Sequence, residues 1–366
     1  MKNTFKLAAV SSAALMLAAA PAMADGHPTL KLGGYFDQKI SVTNNENRVN
    51  VKDGIDVRED AEVYVMGSAT LDNGIKIKTM AQFETDGNKN AADLVDETYM
   101  LISGGFGAIK LGAADHAPKS MTTGLQGMWA TNVGENATFN VGALMSNGTQ
   151  VTARGVAAQL GVVNDAEMIS YTSPNMSGFQ IAAGYSQNAT QDNDVRVADN
   201  AGTEDIVSFS AKYSGKFGGS TLNIGGGIMS GDQAGAGVDD AQDWIVGANV
   251  TVGAYKIAAS YSRRESQATN GVETAAEFNT MELGVRATMG ATVYSISYMT
   301  SEADSTQAAV DGDKLETLVL AMRHSLGKGV KWHNTLYSHE ASNGGPEIAD
   351  SGNDAYAFTT GIAVKF

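Results

Sequence analysis

A chain of 366 residues without a single cysteine has no disulfide framework, no thiolate chemistry and no cysteine-ligated zinc site. Forty acidic residues against 25 basic ones give a formal charge of −15, which argues against nucleic acid as a partner. The 42 glycines and only 5 prolines suit many strands joined by tight turns, since glycine supplies positive φ and proline would remove ladder donors.

The chain opens on a secretory signal. Lys2 and Lys6 form a positive n-region, Leu7 to Ala20 an apolar h-region, and Ala22-Met23-Ala24 a small-residue cleavage site before Asp25. The apolar run of 14 residues ends at Pro21, short of the ~20 that a spanning helix needs. Residues 1–24 are therefore set apart from the fold, and 25–366 are read as one domain. Losing Lys2 and Lys6 leaves 23 basic against 40 acidic residues, a charge of −17. No later run approaches the length of a transmembrane helix, so a mature chain that spans a membrane must do so as a closed β-barrel. A soluble array of β-sandwiches would have a similar composition.

From Leu30 onward, segments of about ten residues alternate in period two, the signature of transmembrane strands. The first, Leu30 to Thr43, puts Leu32, Phe36, Ile40 and Val42 on one face and Lys31, Tyr35, Asp37 and Lys39 on the other. Glu59–Leu71 and Ile75–Glu84 follow, separated by the turn residues Asp72-Asn73-Gly74. Asp96–Ser103 and Gly107–Gly112 meet at Gly104-Gly105-Phe106, after which the pattern lapses from Ala113 to Asp165. A compact domain rarely leaves so long a stretch without a purpose. Alternation resumes in Ala166–Ser173 and Phe179–Ser186, then in Asp205–Phe217, Ser220–Ser230, Asp243–Val252, Ala254–Arg263, Phe278–Ala287, Thr292–Thr300, Lys314–Ser325, Val330–Glu340 and Ala355–Phe366. Sixteen segments result. Short turns alternate with long polar connections, an asymmetry expected of an outer-membrane barrel with an even strand count.

One face of each segment is apolar. The other carries Lys31, Lys39, Lys76, Lys78, Gln82, Lys110, Asn223, Lys256, Glu282, Arg286 and Lys331. A lysine facing lipid near the midplane would cost roughly 2–4 kcal/mol, so this polar face must line the interior. A barrel of about sixteen strands is too wide for its own side chains to fill, and an aqueous lumen follows. Aromatic residues near strand ends, among them Tyr35, Phe36, Tyr64, Tyr99, Tyr171, Trp244, Tyr261, Trp332 and Phe366, are candidates for interfacial girdles, several facing the lumen instead.

The hairpin Ile169 to Gln180, the turn Gly104-Gly105-Phe106-Gly107 and the terminal segment Ala355 to Phe366 together resemble the general porins of Gram-negative bacteria, of the alphaproteobacterial type. The resemblance covers residues 25–366. It implies an all-β, sixteen-stranded antiparallel transmembrane barrel of the outer membrane, a homotrimer, and a long third external loop, here 113–165, folded into the lumen. The implied function is passive diffusion of small hydrophilic solutes and ions, with no enzymatic activity, cofactor or metal. Mild cation preference is the expectation from the charge of −17. In this family acidic groups on that loop face basic groups on the wall; the matching positions are Asp115 and Glu135 on the loop and Lys31, Lys39, Lys76, Lys78 and Lys110 on the wall. Opposed charges would set a transverse field across the constriction. The family also implies that Tyr356, Phe358, Ile362, Val364 and Phe366 form a C-terminal signal read by the barrel-assembly machinery, and that the outer surface meets membrane lipid and lipopolysaccharide. A substrate-selective channel and a non-transporting barrel or adhesin are the alternatives.

Other patterns carry less. Gly225-Gly226-Gly227-Ile228-Met229-Ser230 approaches a dinucleotide fingerprint but lies in an alternating segment with no helix after it. His333 and His339 point inward from one strand without a ligand pair beside them, and Asp239, Asp240 and Asp243 form an acidic cluster read as a solvated external loop ahead of a calcium site.

Overall fold

Period-two alternation is realised as sixteen antiparallel strands in a computed structural model that describes residues 28–45, 54–85, 95–134, 160–191, 202–233, 240–265, 276–305, 311–342 and 353–366. They are β1 (Thr29–Asn45), β2 (Gly54–Thr70), β3 (Lys76–Glu84), β4 (Val95–Gly104), β5 (Gly107–Ala113), β6 (Ala166–Thr172), β7 (Phe179–Gln191) and β8 (Thr203–Phe217). The second half comprises β9 (Ser220–Gln233), β10 (Ala241–Val252), β11 (Tyr255–Glu265), β12 (Ala276–Met289), β13 (Thr292–Ser305), β14 (Lys314–Gly327), β15 (Val330–Ser342) and β16 (Asn353–Lys365). Each pairs with its sequence neighbours, and β1 also pairs with β16, so the sheet closes and no edge is left.

The seam is specific at the residue level. Gly34 N–H donates to the Phe366 carbonyl and Phe366 N–H donates back to the Gly34 carbonyl, both at 3.1 Å. A Cβ on Gly34 would lie 2.2 Å from the Glu62 carbonyl oxygen and 3.2 Å from the Phe366 ring, so the approach of three segments at this point requires glycine.

Register fixes the faces, because residues paired across antiparallel strands point the same way. Leu32 pairs with Val65, Ile40 with Val57, Leu336 with Phe358 and Trp332 with Ile362, all on the outside. These side chains are open to the surroundings, Leu32 at 71% and Phe358 at 45%. So extensive an apolar exterior is untenable in water and is what lipid demands. No described helix is long and apolar enough to cross a membrane; the strands do so. Tyr35, Tyr64 and Tyr99 turn into the lumen, whereas Tyr171, Tyr185, Trp244, Tyr255, Tyr261, Tyr294, Tyr298, Trp332 and Tyr356 stand outside.

Turns fall where expected, at 71–75, 105–106, 173–178, 218–219, 253–254, 290–291 and 328–329. Asn73 Oδ1 accepts from Ile75 N–H at 3.1 Å and holds the first of them. Several strands run further at the opposite, long-loop end than their alternation indicates: β12 begins at Ala276, β13 ends at Ser305 and β2 begins at Gly54. Outward positions there are charged, as with Arg263, Glu277, Glu302 and Glu316, so pairing continues past the apolar band that reveals it in the sequence.

The barrel lumen as candidate functional site

Every inward assignment made from alternation holds in the register: Lys31, Lys39, Lys76, Lys78, Gln82, Lys110, Asn223, Lys256, Glu282, Arg286 and Lys331 all point into the lumen. After β5 the first described part of the long connection, residues 114–134, lies against the inner wall. Two short helices form it, α1 (Ala117–Thr123), begun by Pro118 in its first turn, and α2 (Gly127–Thr131). The first packs on β6 to β10 and the second on β10 to β13.

Wall side chains satisfy the backbone of these helices, which are too short to satisfy it themselves. Gly127 N–H donates to Ser260 Oγ at 2.8 Å, Met128 N–H to Glu282 Oε2 at 3.1 Å and Val133 N–H to Ser295 Oγ at 3.2 Å. Asn249 Nδ2 donates to the Gly124 carbonyl at 2.7 Å. The approach is close: a Cβ on Gly284 would meet Thr131 Oγ1 at 1.8 Å, and one on Gly127 the Glu282 carbonyl oxygen at 2.7 Å. Ahead of α1, the buried His116 ring sits between Ser186 Oγ (2.7 Å from Nε2) and Ser208 Oγ (2.8 Å from Nδ1). Burial, with Lys119 and Lys110 nearby, lowers its pKa to about 4. Where the connection returns, Gly161 N–H donates to Asp243 Oδ2 at 2.6 Å, and Arg264 pairs with the same carboxylate at 3.2 Å. Asp165, at the mouth of β6, is pushed up to about 8 by burial and by Asp115 and Asp96.

Two apolar patches on the inner wall receive this connection. Leu160, Val162 and Val163 pack with Ile206, Met229 and Ile245, while Met128 and Val133 pack with Leu315, Val319 and Tyr337. Residue-by-residue alternation missed these as functional positions. Their signal is two-dimensional: Val319 pairs with Tyr337 and Tyr337 with Ala357, an apolar row on a face that is otherwise polar.

The wall lysines do not form one cluster. Lys31, Lys76 and Lys78 are exposed on the inner face of β1 and β3, and Lys78, Leu101 and Lys110 share one register row. Lys39 lies eight residues further along β1, 6% exposed, between Asp37 at 3.7 Å and Asp60 at 3.5 Å. Lys110 Nζ donates to the Asp115 carbonyl at 3.1 Å and stands 4.9 Å from the centre of the Tyr99 ring. The Asp115 carboxylate is taken by Lys119 of α1 at 2.5 Å, and Asp115 meets the wall through its backbone, the carbonyl to Lys110 and the N–H to Glu97 at 3.3 Å; Glu135 lies outside the described residues. Tyr356, Phe358, Ile362, Val364 and Phe366 all face outward, with Phe366 at the seam.

Other sequence candidates resolve differently. Asp243 faces inward as a loop anchor and is no part of a solvated external cluster, because β10 begins two residues before it; Asp239 lies outside the described residues. His333 Nε2 meets Asp37 Oδ1 at 2.8 Å and His339 Nδ1 meets Thr317 Oγ1 at 2.9 Å, each with its own partner. The segment Gly225 to Ser230 is strand. Carboxylate oxygens of Glu62, Glu84 and Asp96 come within 4.8 Å of one another, but Tyr35 and Tyr64 donate to Glu62 and Gln82 donates to Asp96.

Charge is also sorted along the axis. At the short-turn end, none of the five residues nearest that end on any of the sixteen strands is Asp or Glu, while Lys31, Lys76, Lys110, Lys256, Arg286 and Arg323 face inward there. Inward carboxylates such as Asp37, Glu62, Glu97, Asp243 and Glu282 lie further toward the long-loop end.

A closed ring of sixteen strands, apolar without and charged within, with one connection laid on its inner wall, defines a transmembrane β-barrel channel. The family model for the Gram-negative porin matches residues 11–344. Among solved structures, an anion-selective porin from Comamonas acidovorans superposes with a TM-score of 0.65 at 18% identity, over 93% of this chain and 100% of that one. A porin refined at 1.8 Å gives 0.59 at 19% identity over 92% and 100%, and the trimer form of in-vitro folded OmpT of Vibrio cholerae 0.58 at 12% over 93% and 100%. No curated protein sequence matches. The chain belongs to the Gram-negative porin family: it is an integral β-barrel of the bacterial outer membrane and a channel for passive diffusion. Family and fold are typically those of channels without enzymatic activity.

Proposed function

We propose that small hydrophilic solutes and ions pass between the helices α1 and α2 on one side of the lumen and the lysine-bearing inner face of β1 to β5 on the other. The observation that carries this reading is the seating of both helices on β6 to β13, which leaves Lys31, Lys76 and Lys78 exposed on the facing wall. Basic groups on that wall and the acidic groups Asp115 and Glu135 of the connection would order dipolar solutes between them, and the gap would set the size limit. The protein performs no chemistry on the solute.

The chain works as a homotrimer on this reading. Tyr and Trp mark lipid interfaces, yet the described outward positions of β1 to β5 carry neither, while those of β6 to β16 carry ten. A face without the girdle suits coverage by a second barrel. Residues 1–24 would be removed on export, the short turns would face the periplasm, the long-loop end would meet lipopolysaccharide, and Tyr356 to Phe366 would be read by the assembly machinery.

Purified protein in a planar bilayer should show stepwise single-channel conductance in KCl, with sugars entering proteoliposomes up to a size cut-off. Neutralising Lys76→Gln and Lys78→Gln together should shift the reversal potential in a salt gradient toward cations. Absence of steps from folded barrels rejects the channel path.

A further inference from the structure

Four cations on the far wall, Lys256, Arg286, Arg323 and Lys331, have no ion-pair partner among the described residues. Lys256 faces Arg286 directly across the β11–β12 ladder, where directly opposed like charges cost stability. Arg286 pairs with Ser295 and Arg323 with Val293, so the two arginines flank β13 at neighbouring positions. Arg323 in turn faces His333 across β14–β15, and Lys331 lies two residues nearer the turn on the same inward face. The charges of Lys256 and Arg286, Arg286 and Arg323, and Arg323 and Lys331 act on one another.

Among the described residues no acid offsets this row. Glu282, on the same face of β12, already serves Ser260 and the backbone of α2. The row lies just on the turn side of α2, and Arg286 Nη1 reaches the Ala130 carbonyl at 3.5 Å, which ties one end of the guanidinium to the helix. On the opposite wall Lys39 is ion-paired and Lys110 is occupied by a carbonyl and a ring, whereas Lys31, Lys76 and Lys78 are exposed and include no guanidinium fork.

We propose that Lys256, Arg286, Arg323 and Lys331 form a binding station for a multiply charged oxyanion of the phosphoryl class. Two guanidinium forks and two ammonium groups along one inward-facing stretch of wall match an anion with several oxygens, which an arginine can engage bidentately. A chloride offers one point of contact; an oxyanion carrying two or more charges can bridge neighbouring members of the row, such as Arg286 and Arg323, with the lysines at its flanks. The station rests on the channel reading only for its access route, because the site itself is defined by the wall.

Inorganic pyrophosphate is the probe, at constant ionic strength set with KCl. Added to wild-type channels in a bilayer, it should reduce KCl conductance in a saturable manner. In Arg286→Gln/Arg323→Gln the half-blocking concentration should rise about tenfold or more. Lys76→Gln/Lys78→Gln on the opposite wall should stay within about twofold of wild type. Titration calorimetry of pyrophosphate into the detergent-folded barrel reads the station without conduction, so loss of channel activity with retained binding rejects the path and not the station. Lys256→Gln/Lys331→Gln, at more accessible positions, serves if the arginine pair fails to fold. No calorimetric binding by the folded wild type, or equal binding by wild type and a folded row variant, overturns the proposal.

Discussion

Individual side chains hold the inner helices in place, and two of them make sharp predictions. Glu282 is wholly buried, accepting from Met128 N–H and Ser260 Oγ, each at 3.1 Å. Glu282→Ala strands both donors and should weaken the seating of α2 by about 1–3 kcal/mol. Hydrogen exchange of Gly127 to Thr131 should accelerate accordingly, with the strand amides unchanged; equal protection in the variant contradicts this role. His116 supplies a pH dependence with a definite sign. Its pKa is lowered to about 4 from the ordinary 6.5, burial first and then Lys119 and Lys110. Seating of α1 is therefore complete above about pH 6.5, erodes as pH falls, and below about 4 has lost on the order of 3 kcal/mol. After correction for intrinsic exchange rates, protection of Ala117 to Thr123 should fall across that window in wild type and stay flat in His116→Gln. Inward residues were legible in the sequence because the strand period assigns every lysine a face. Their partners were not: nothing in the linear chain says that Asp37 and Asp60 occupy Lys39, since β1 and β2 must first find their register.

Strands and helices were legible to different degrees. Alternation located all sixteen strands, because lipid outside and water inside impose opposite chemistry on successive residues. It faltered at the long-loop end, where both faces are wet and charges such as Arg263 and Glu316 stand outside. Neither short helix announced itself: α1 and α2 are held by the wall more than by their own periodicity. Close contact makes that dependence testable. Gly284→Ala would bring a Cβ within 1.8 Å of Thr131 Oγ1, and should lift α2 from the wall and change single-channel conductance. Thr131→Gly added to Gly284→Ala should return conductance toward the wild-type value; a double variant that behaves like the single one would locate the effect elsewhere.

At the scale of the whole molecule, the first and last strands complete one ring. Ser41 and Thr359 share a hydrogen bond at 2.8 Å across a separation of 318 residues. Deleting Phe366 removes both backbone bonds at Gly34, so the truncated barrel should lose its resistance to SDS at a lower temperature than wild type in an electrophoretic shift assay. Ring topology was implied by alternation along the chain, whereas the path of the connection after β5 was not, because it depends on apolar rows assembled from many strands.

Because β16 is the sole partner of β1 across the seam, the ring cannot close without that strand. Every partial product is a sheet with two raw borders, sticky along its backbone and greasy on one side. Pairing of β16 with β1 removes both borders at once, so sealing the seam is what turns such a sheet into a surface fit for lipid.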